Sequence, residues 1–251
     1  VTSSLTVAVE GAVATVTLDR ANKLNALSLA LEQALLDAVH GPQVQSSRVV
    51  VFAGAGRAFS VGADITEVAA MGVEDIADYY RRSGALYEAV AALPQITLAA
   101  VHGYCLGGGF ELALACDLRV ADQDARFGLP EVGLGIVPSS GGLTRVVRAT
   151  GAAVAREIVL LGERFDAEAA RRFGLVTEVV PAGTAPARAA EIAESLAAKP
   201  PLALEIAKRA IDAAAESSTA SALLIERLAY AALNQTPAAR EQTGGFGSRK
   251  D

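Results

Sequence analysis

The sequence predicts an α/β protein with a helical C-terminal part. Three observations carry this: apolar runs of strand length alternate with helix-periodic runs, glycine turns separate them, and Ala-rich helical stretches dominate from about residue 141 onward. The opening "LTVAVEGAVATVTLDR" places two β-rich runs around Glu10-Gly11 and reads as a hairpin. After Ser28, an N-cap residue, "LALEQALLDAVHG" has helical spacing and stops at Gly41-Pro42; "RVVVFAG" follows as a buried strand. The alternation then repeats, with "EDIADYYRRSGALYEAVAAL" as helix, "ITLAAVHG" as strand, "GGFELALAC" as helix and "DLRVAD" as strand. Beyond residue 141, "GGLTRVVRAT", "AAVAREIVLLG" and "DAEAARRFG" read as helices, "LVTEVV" as a strand, and 185–198, 202–216 and 219–234 as further helices. The tail "EQTGGFGSRKD" reads as irregular. No low-complexity linker interrupts the chain, so the expected division is a core of residues 1–190 and a helical region of residues 191–251 with apolar faces suited to self-association.

Composition narrows the function. The 251 residues are 52% hydrophobic, enough for a sizeable core. With 22 basic and 28 acidic residues the net charge is -6, and no long basic run offers a track for phosphates, so nucleic acid and anionic membranes are not expected partners. Cys105 and Cys116 cannot form a disulfide framework for a chain of this size, and "VTSSLTVAVEG" lacks the basic start and long apolar run of a secretory signal; the expectation is a cytoplasmic protein. Residues 89–110 contain no charged side chain, yet Pro94, Gln95, His102 and four glycines divide them into a helix end, a strand and a loop rather than a membrane span.

Three stretches bear on chemistry. In "GYCLGGGFELAL", residues 103–114, three glycines precede a helix that carries Glu111. They can serve a tight turn or close packing. A phosphate loop is excluded, because Gly109-Phe110 stands where Lys-Ser or Lys-Thr belongs. The remaining reading is an oxyanion site: glycines bare the amides at a helix start, where they lack intrahelical partners and the helix dipole adds positive potential. A carbonyl oxygen could then approach the Gly108 amide with Glu111 nearby. "AFSVGADI", residues 58–65, offers a second amide at Ala63 behind Gly62, or merely a strand-end loop. "FGLPEVGLGIVPSSGG" isolates Glu131 in an uncharged segment, either as an exposed loop acid or as a desolvated one able to work with Glu111. His40 and His102 have no ligand cluster around them in sequence and read as structural; no metal site is expected.

Together with "ANKLNALS" at 21–28, "VHGYCLGGGFELALACDLRVAD" at 101–122, "A..FGLVTEVVP" at 170–181 and the closing "E....FGSRK", these stretches resemble the crotonase superfamily, the enoyl-CoA hydratase/isomerase family. The resemblance covers most of the chain. It implies a spiral of repeated ββα units holding the acyl-CoA site, and a helical C-terminal region packing on the core and on neighbouring subunits in a trimer or dimer of trimers. It also implies acyl-CoA thioesters as substrates, no separate cofactor, and a thioester oxygen held by the amides of Ala63 and Gly108, with Ala63, Asp64, Ile65 and Thr66 along the CoA and acyl path.

Within that family, hydratases carry two catalytic glutamates, and Glu111 and Glu131 match both positions. The implied reaction is hydration of trans-2-enoyl-CoA to 3-hydroxyacyl-CoA in fatty acid metabolism, Glu111 acting as base for water attack at C3 and Glu131 giving a proton to C2. The alternative is an isomerase that moves the double bond from position 3 to 2. Serine hydrolysis through Ser60, Ser139 or Ser140 has no assignable His and Asp partners, and the acidic composition argues against RNA binding. Lys23 is a candidate partner for a CoA phosphate, and Phe246 and Arg249 keep a family-like spacing for CoA contact, although glycines flank them in place of the usual helix. Ser139 and Thr144 stand where many hydratases have Gly and Gln, which bears on the acyl group accepted.

Overall fold

The computed structural model describes residues 4–241. Strands β1 (Leu5–Glu10) and β2 (Val13–Leu18) form the expected hairpin, paired antiparallel from Leu5 opposite Leu18 to Glu10 opposite Val13. Helix α1 (Leu29–His40) starts where Ser28 Oγ accepts the Leu31 N–H at 3.3 Å, and α2 (Pro42–Gln45) is a single turn after Gly41. Next come β3 (Val49–Gly54), β4 (Ala58–Ser60), α3 (Ile65–Ala69), α4 (Val73–Ala91), β5 (Ile96–Val101), β6 (Tyr104–Leu106) and α5 (Gly108–Ala115). Then follow β7 (Leu118–Asp122), β8 (Arg126–Gly128), a 3-10 turn at Pro130–Leu134, and α6 (Gly142–Leu161), broken at Gly151 by a backbone with φ 78° and ψ 165°. The chain continues through β9 (Phe165–Asp166), α7 (Ala167–Arg172), β10 (Glu178–Val180), α8 (Ala185–Ala197), α9 (Pro201–Glu216) and α10 (Thr219–Leu233).

The strands form two sheets. The larger has order β1-β2-β3-β5-β7-β10, parallel except for the hairpin; the smaller has order β4-β6-β8-β9, with β4, β6 and β8 parallel. The pairs β3/β4, β5/β6 and β7/β8 each give one strand to each sheet before a helix returns the chain. This is the spiral of ββα units that the resemblance implied. The smaller sheet is not read from the hydrophobic pattern, because its strands are two or three residues long and too short for a period to register. In particular, the expected loop before the glycines contains β6.

Alternation along the larger sheet separates two cores. Val50 and Phe52 face the cluster with α1, α4 and α5, whereas Val49, Val51, Leu98 and Ala100 face Ala185, Ala189 and Ala193 of α8. Alanines on α8 let the helix lie close to the sheet. The division expected at residue 190 falls inside this helix, so the core extends through α8. Helix α9 is tied to the sheet by Lys208, which is 8% exposed: its Nζ lies 3.0 Å from Asp117 Oδ2 and donates to the Gln95 carbonyl at 3.2 Å. Helix α10 packs on α9 and presents Leu224, Leu228 and Tyr230 to the outside. No helix among the described residues is long and apolar enough to cross a membrane.

Asp117 Oδ2 also accepts from the Thr97 amide and hydroxyl, so loss of Lys208 leaves a half-buried carboxylate facing two dipoles without its cation. Lys208→Ala should therefore lower the unfolding free energy by about 3 kcal/mol, read from urea denaturation at fixed protein concentration.

Candidate active site

The smaller sheet sets the site by register. Ser60 of β4 pairs with Cys105 of β6, and Cys105 pairs with Phe127 of β8, so the carboxyl ends of three parallel strands lie side by side. Ala63 and Gly108 each follow their paired residue by three positions, and Glu131 follows Phe127 by four. All three therefore emerge at one edge, where ligands of parallel sheets commonly sit.

The Ala63 amide is exposed by the way its segment is pinned. Leu27 donates to the Gly62 carbonyl at 2.8 Å and accepts from the Asp64 amide at 2.9 Å. This parallel bridge uses the groups flanking Ala63 and turns the Ala63 N–H to the opposite side. Ser60, buried, donates to the Asn25 carbonyl at 2.8 Å and accepts from the Gly62 amide at 3.1 Å, while Asn25 Nδ2 donates to the carbonyls of Ala55 and Ala58. The "ANKLNALS" stretch is thus the brace behind the loop. Ser60 is committed to it, which removes it as a nucleophile.

The glycines answer to close approach. Gly62 has φ +90°, and a Cβ there would lie 2.9 Å from Gly108 N. Gly107 has φ +50° and stands immediately before α5, whose first amide belongs to Gly108. A Cβ on Gly108 would lie 2.9 Å from the Tyr87 hydroxyl and 3.6 Å from Ala63 N; one on Gly109 would lie 2.6 Å from Ser60 Cβ. The two amides are neighbours only because no side chain stands between them.

Ala63, Gly108, Glu111 and Glu131 line one cavity of about 320 Å³. Glu111, 4% exposed, sits in the first turn of α5; its Oε1 accepts from the amides of Ser140 and Gly142 at 2.9 and 2.8 Å, at the start of α6. Burial raises its pKa, and those two amides oppose the rise. Among the described residues Glu131 Oε2 is buried without a hydrogen-bond partner; burial, opposed by a hydrogen bond from the residue's own amide and reinforced by the charge of Glu111, brings the Glu131 pKa up to about 7. One carboxyl is held by two amides of another segment, and the other has one oxygen, Oε2, without a partner among the described residues. Such a pair divides into base and acid.

Other expected site residues distribute unevenly. Ile65 lines the cavity and so does Ser139. Asp64 and Thr66 do not: Asp64 accepts from the Thr66 hydroxyl and amide and pairs with Arg20 at 2.7 Å, contacts that lower its pKa to about 2. Asp64 is the N-cap of α3, so its carboxylate is engaged by the helix start and by Arg20. Lys23 is exposed at the end of the 3-10 turn Ala21–Lys23, away from the cavity lining. Phe246 and Arg249 lie outside the described residues. His40 hydrogen-bonds the Leu36 carbonyl through Nδ1, and His102 the Gly56 carbonyl through Nε2.

Sequence reasoning assigns pocket shape to "EDIADYYRRSGALYEAV" but does not single out Tyr79, Ser83 and Tyr87 within it, which line the cavity, nor the buried Glu32 behind them. Their signal was present as i, i+4, i+8 spacing along α4, with an acid beside the Leu31, Leu35 and Val39 stripe of α1.

Known proteins give the same picture. The sequence model of the enoyl-CoA hydratase/isomerase family matches residues 8–250. The chain is 36% identical to the 2,3-dehydroadipyl-CoA hydratase of Escherichia coli over 97% of its own length and 95% of that protein's. It is 37% identical to the short-chain-enoyl-CoA hydratase of Clostridium acetobutylicum over 88% and 85%. Its structure is similar to the crystal structure of an enoyl-CoA hydratase from Bacillus anthracis, with a TM-score of 0.93 and 36% identity over 99% of this chain and 97% of that one. With matches of this extent, the chain belongs to the enoyl-CoA hydratase/isomerase family.

Proposed function

We propose that this protein is an enoyl-CoA hydratase that adds water across the double bond of trans-2-enoyl-CoA thioesters to give 3-hydroxyacyl-CoA. The observation that carries the reading is a pair of carboxyls, Glu111 buried and Glu131 half-buried, lining one cavity with Ala63 and Gly108. Attack of water at C3 moves an electron pair onto the thioester oxygen, and two fixed amides stabilise that charge without reorganising. Glu111, ionised and held by two amides, takes the proton from water as its oxygen bonds to C3. Glu131, protonated up to about pH 7, gives its proton to C2 as the enolate collapses. The proton gained by Glu111 returns the pair to its starting state by transfer to Glu131 or solvent. Coenzyme A is part of the substrate, and the cycle is written without a separate cofactor.

Both acids on one cavity favour hydration over the isomerase alternative, for which a single shuttling carboxyl suffices. The names of the two relatives attach to different acyl groups, so membership of the family leaves the acyl specificity to the pocket. The exposed apolar residues of α10, including Leu224 and Leu228, support assembly into a trimer or a dimer of trimers, in which Phe246 and Arg249 would meet CoA of a neighbouring subunit while Lys23 would meet a CoA phosphate. Free, buried Cys105 and Cys116 support a reducing, cytoplasmic setting and a role in fatty acid β-oxidation or related thioester metabolism.

Loss of the conjugated enoyl-thioester absorbance with crotonyl-CoA and longer homologues tests the reading; no turnover at any chain length rejects it. Glu111→Gln and Glu131→Gln should each lower kcat by about 10²–10⁴-fold, whereas an isomerase would tolerate one of them. Gly108→Ala, which drives a methyl toward the Tyr87 hydroxyl and across the amide, should lower kcat by about 10²–10³-fold. The pH profile of kcat/KM should fall on the alkaline side through about 7, because Glu131 then lacks the proton it delivers, and fall on the acid side as Glu111 protonates. Glu131→Gln should abolish the alkaline limb in the residual activity.

A further inference from the structure

The cavity runs along α4 for two helical turns. Tyr79, Ser83 and Tyr87 all line it, and residues eight apart on a helix stand about 12 Å apart along its axis. Tyr87 marks the thioester end, because its hydroxyl lies 2.9 Å from where a Cβ on Gly108 would stand. Ser83 comes one turn further, abreast of the reacting carbons: its Oγ is 3.5 Å from Ser140 Oγ, and the Ser140 amide donates to Glu111 at 2.9 Å. Tyr79 comes last, another turn on, and is 4% exposed. Its hydroxyl donates at 3.3 Å to Oε1 of Glu32, which is 7% exposed and lies on α1 behind the stripe. A carboxyl oxygen accepts that bond whether or not Glu32 is ionised, so the tyrosine ring is held at the far end of the stripe in either state.

Two measures set the length of acyl chain that this end admits. From Ser83 to Tyr79 is one turn, about 6 Å, and an extended alkyl chain advances about 1.3 Å per carbon, which leaves room for about four or five carbons past C4. The volume gives a similar limit. At about 30 Å³ for each heavy atom, a cavity of about 320 Å³ holds roughly ten of them. The attacking water and the thioester oxygen and sulfur occupy part of that space, leaving about seven or eight carbons. A longer chain has to displace the Tyr79 ring from a buried carboxyl or leave its end in water, and either outcome disfavours it.

Resting on the thioester reading above, we propose that Tyr79, braced by Glu32, ends the acyl pocket and limits the substrate to chains of about eight carbons. The test is kcat/KM on crotonyl-, octenoyl-, dodecenoyl- and hexadecenoyl-CoA. Activity should hold from crotonyl- to octenoyl-CoA and be at least about tenfold lower on the two longer chains. Tyr79→Ala, which removes the ring, should raise the dodecenoyl-to-crotonyl ratio about tenfold, whereas Tyr79→Phe, which keeps the ring, should leave it within about threefold. Ser83→Leu, one turn nearer the thioester, should act in the opposite sense and lower the octenoyl-to-crotonyl ratio about tenfold; it decides the matter if Tyr79→Ala does not fold. Comparable kcat/KM for hexadecenoyl- and octenoyl-CoA in the unmodified protein overturns the proposal, as do unchanged ratios in the Tyr79→Ala and Ser83→Leu variants that fold. Absence of turnover on every chain length overturns only the hydration step, and calorimetric binding of the matching saturated thioesters then reads the same limit. Failure of all of those to bind overturns the thioester reading and this proposal together.

Discussion

Two main-chain nitrogens, at Ala63 and Gly108, must stand within reach of one oxygen atom, and most of the local structure serves that requirement. Parallel pairing of β4, β6 and β8 brings three strand ends to a common edge. Gly62 and Gly108 then let two backbones approach to where any Cβ would intrude. Ser60, Asn25 and Leu27 hold the first of these loops through six hydrogen bonds that a solvent-exposed loop would leave to water. An amide preorganised in this way carries its full stabilisation into the transition state, because nothing has to rotate when charge develops.

Enclosing carboxyls in the same space has a cost that the fold distributes unequally. Burial raises the pKa of Glu32 and Glu131 from 4.5 to about 7, so the folded state holds protons that the unfolded chain has released. Stability is therefore withdrawn as pH rises from about 4.5 and is fully lost from these groups above about 7. Glu111 recovers part of the cost from the Ser140 and Gly142 amides, Glu32 from two hydroxyls, and Glu131 has nothing on Oε2. The least compensated acid is the one assigned proton donation. A carboxyl whose neutral form is favoured by burial is suited to that role, and one whose anion accepts two amide hydrogen bonds is suited to the other.

The hydrophobic pattern was legible wherever an element was long enough to repeat. Strand β3, helices α1, α4 and α5, and the Ala-rich α8 to α10 stand close to the boundaries their residues suggest, with Ser28 and Gly41 bounding α1. The smaller sheet was not legible, because strands of two or three residues carry no period and exist only through pairing with segments some 20 to 45 positions away. The same limit applies to the Asp64 carboxylate, whose partner Arg20 lies 44 residues earlier in the chain.

By itself the sequence determined the alternation of elements, the glycines that allow close backbone approach, and the two acids set in uncharged surroundings, since periodicity, missing side chains and isolated charge are all local properties. Only the tertiary structure decided that the amides of Ala63 and Gly108 are adjacent, that Glu111 is held by the Ser140 and Gly142 amides, and that Glu32 reaches Tyr79 and Ser83 from another helix. Those facts depend on register between parallel strands and on packing between helices distant in the chain, and neither leaves a mark on the residues close to it in sequence.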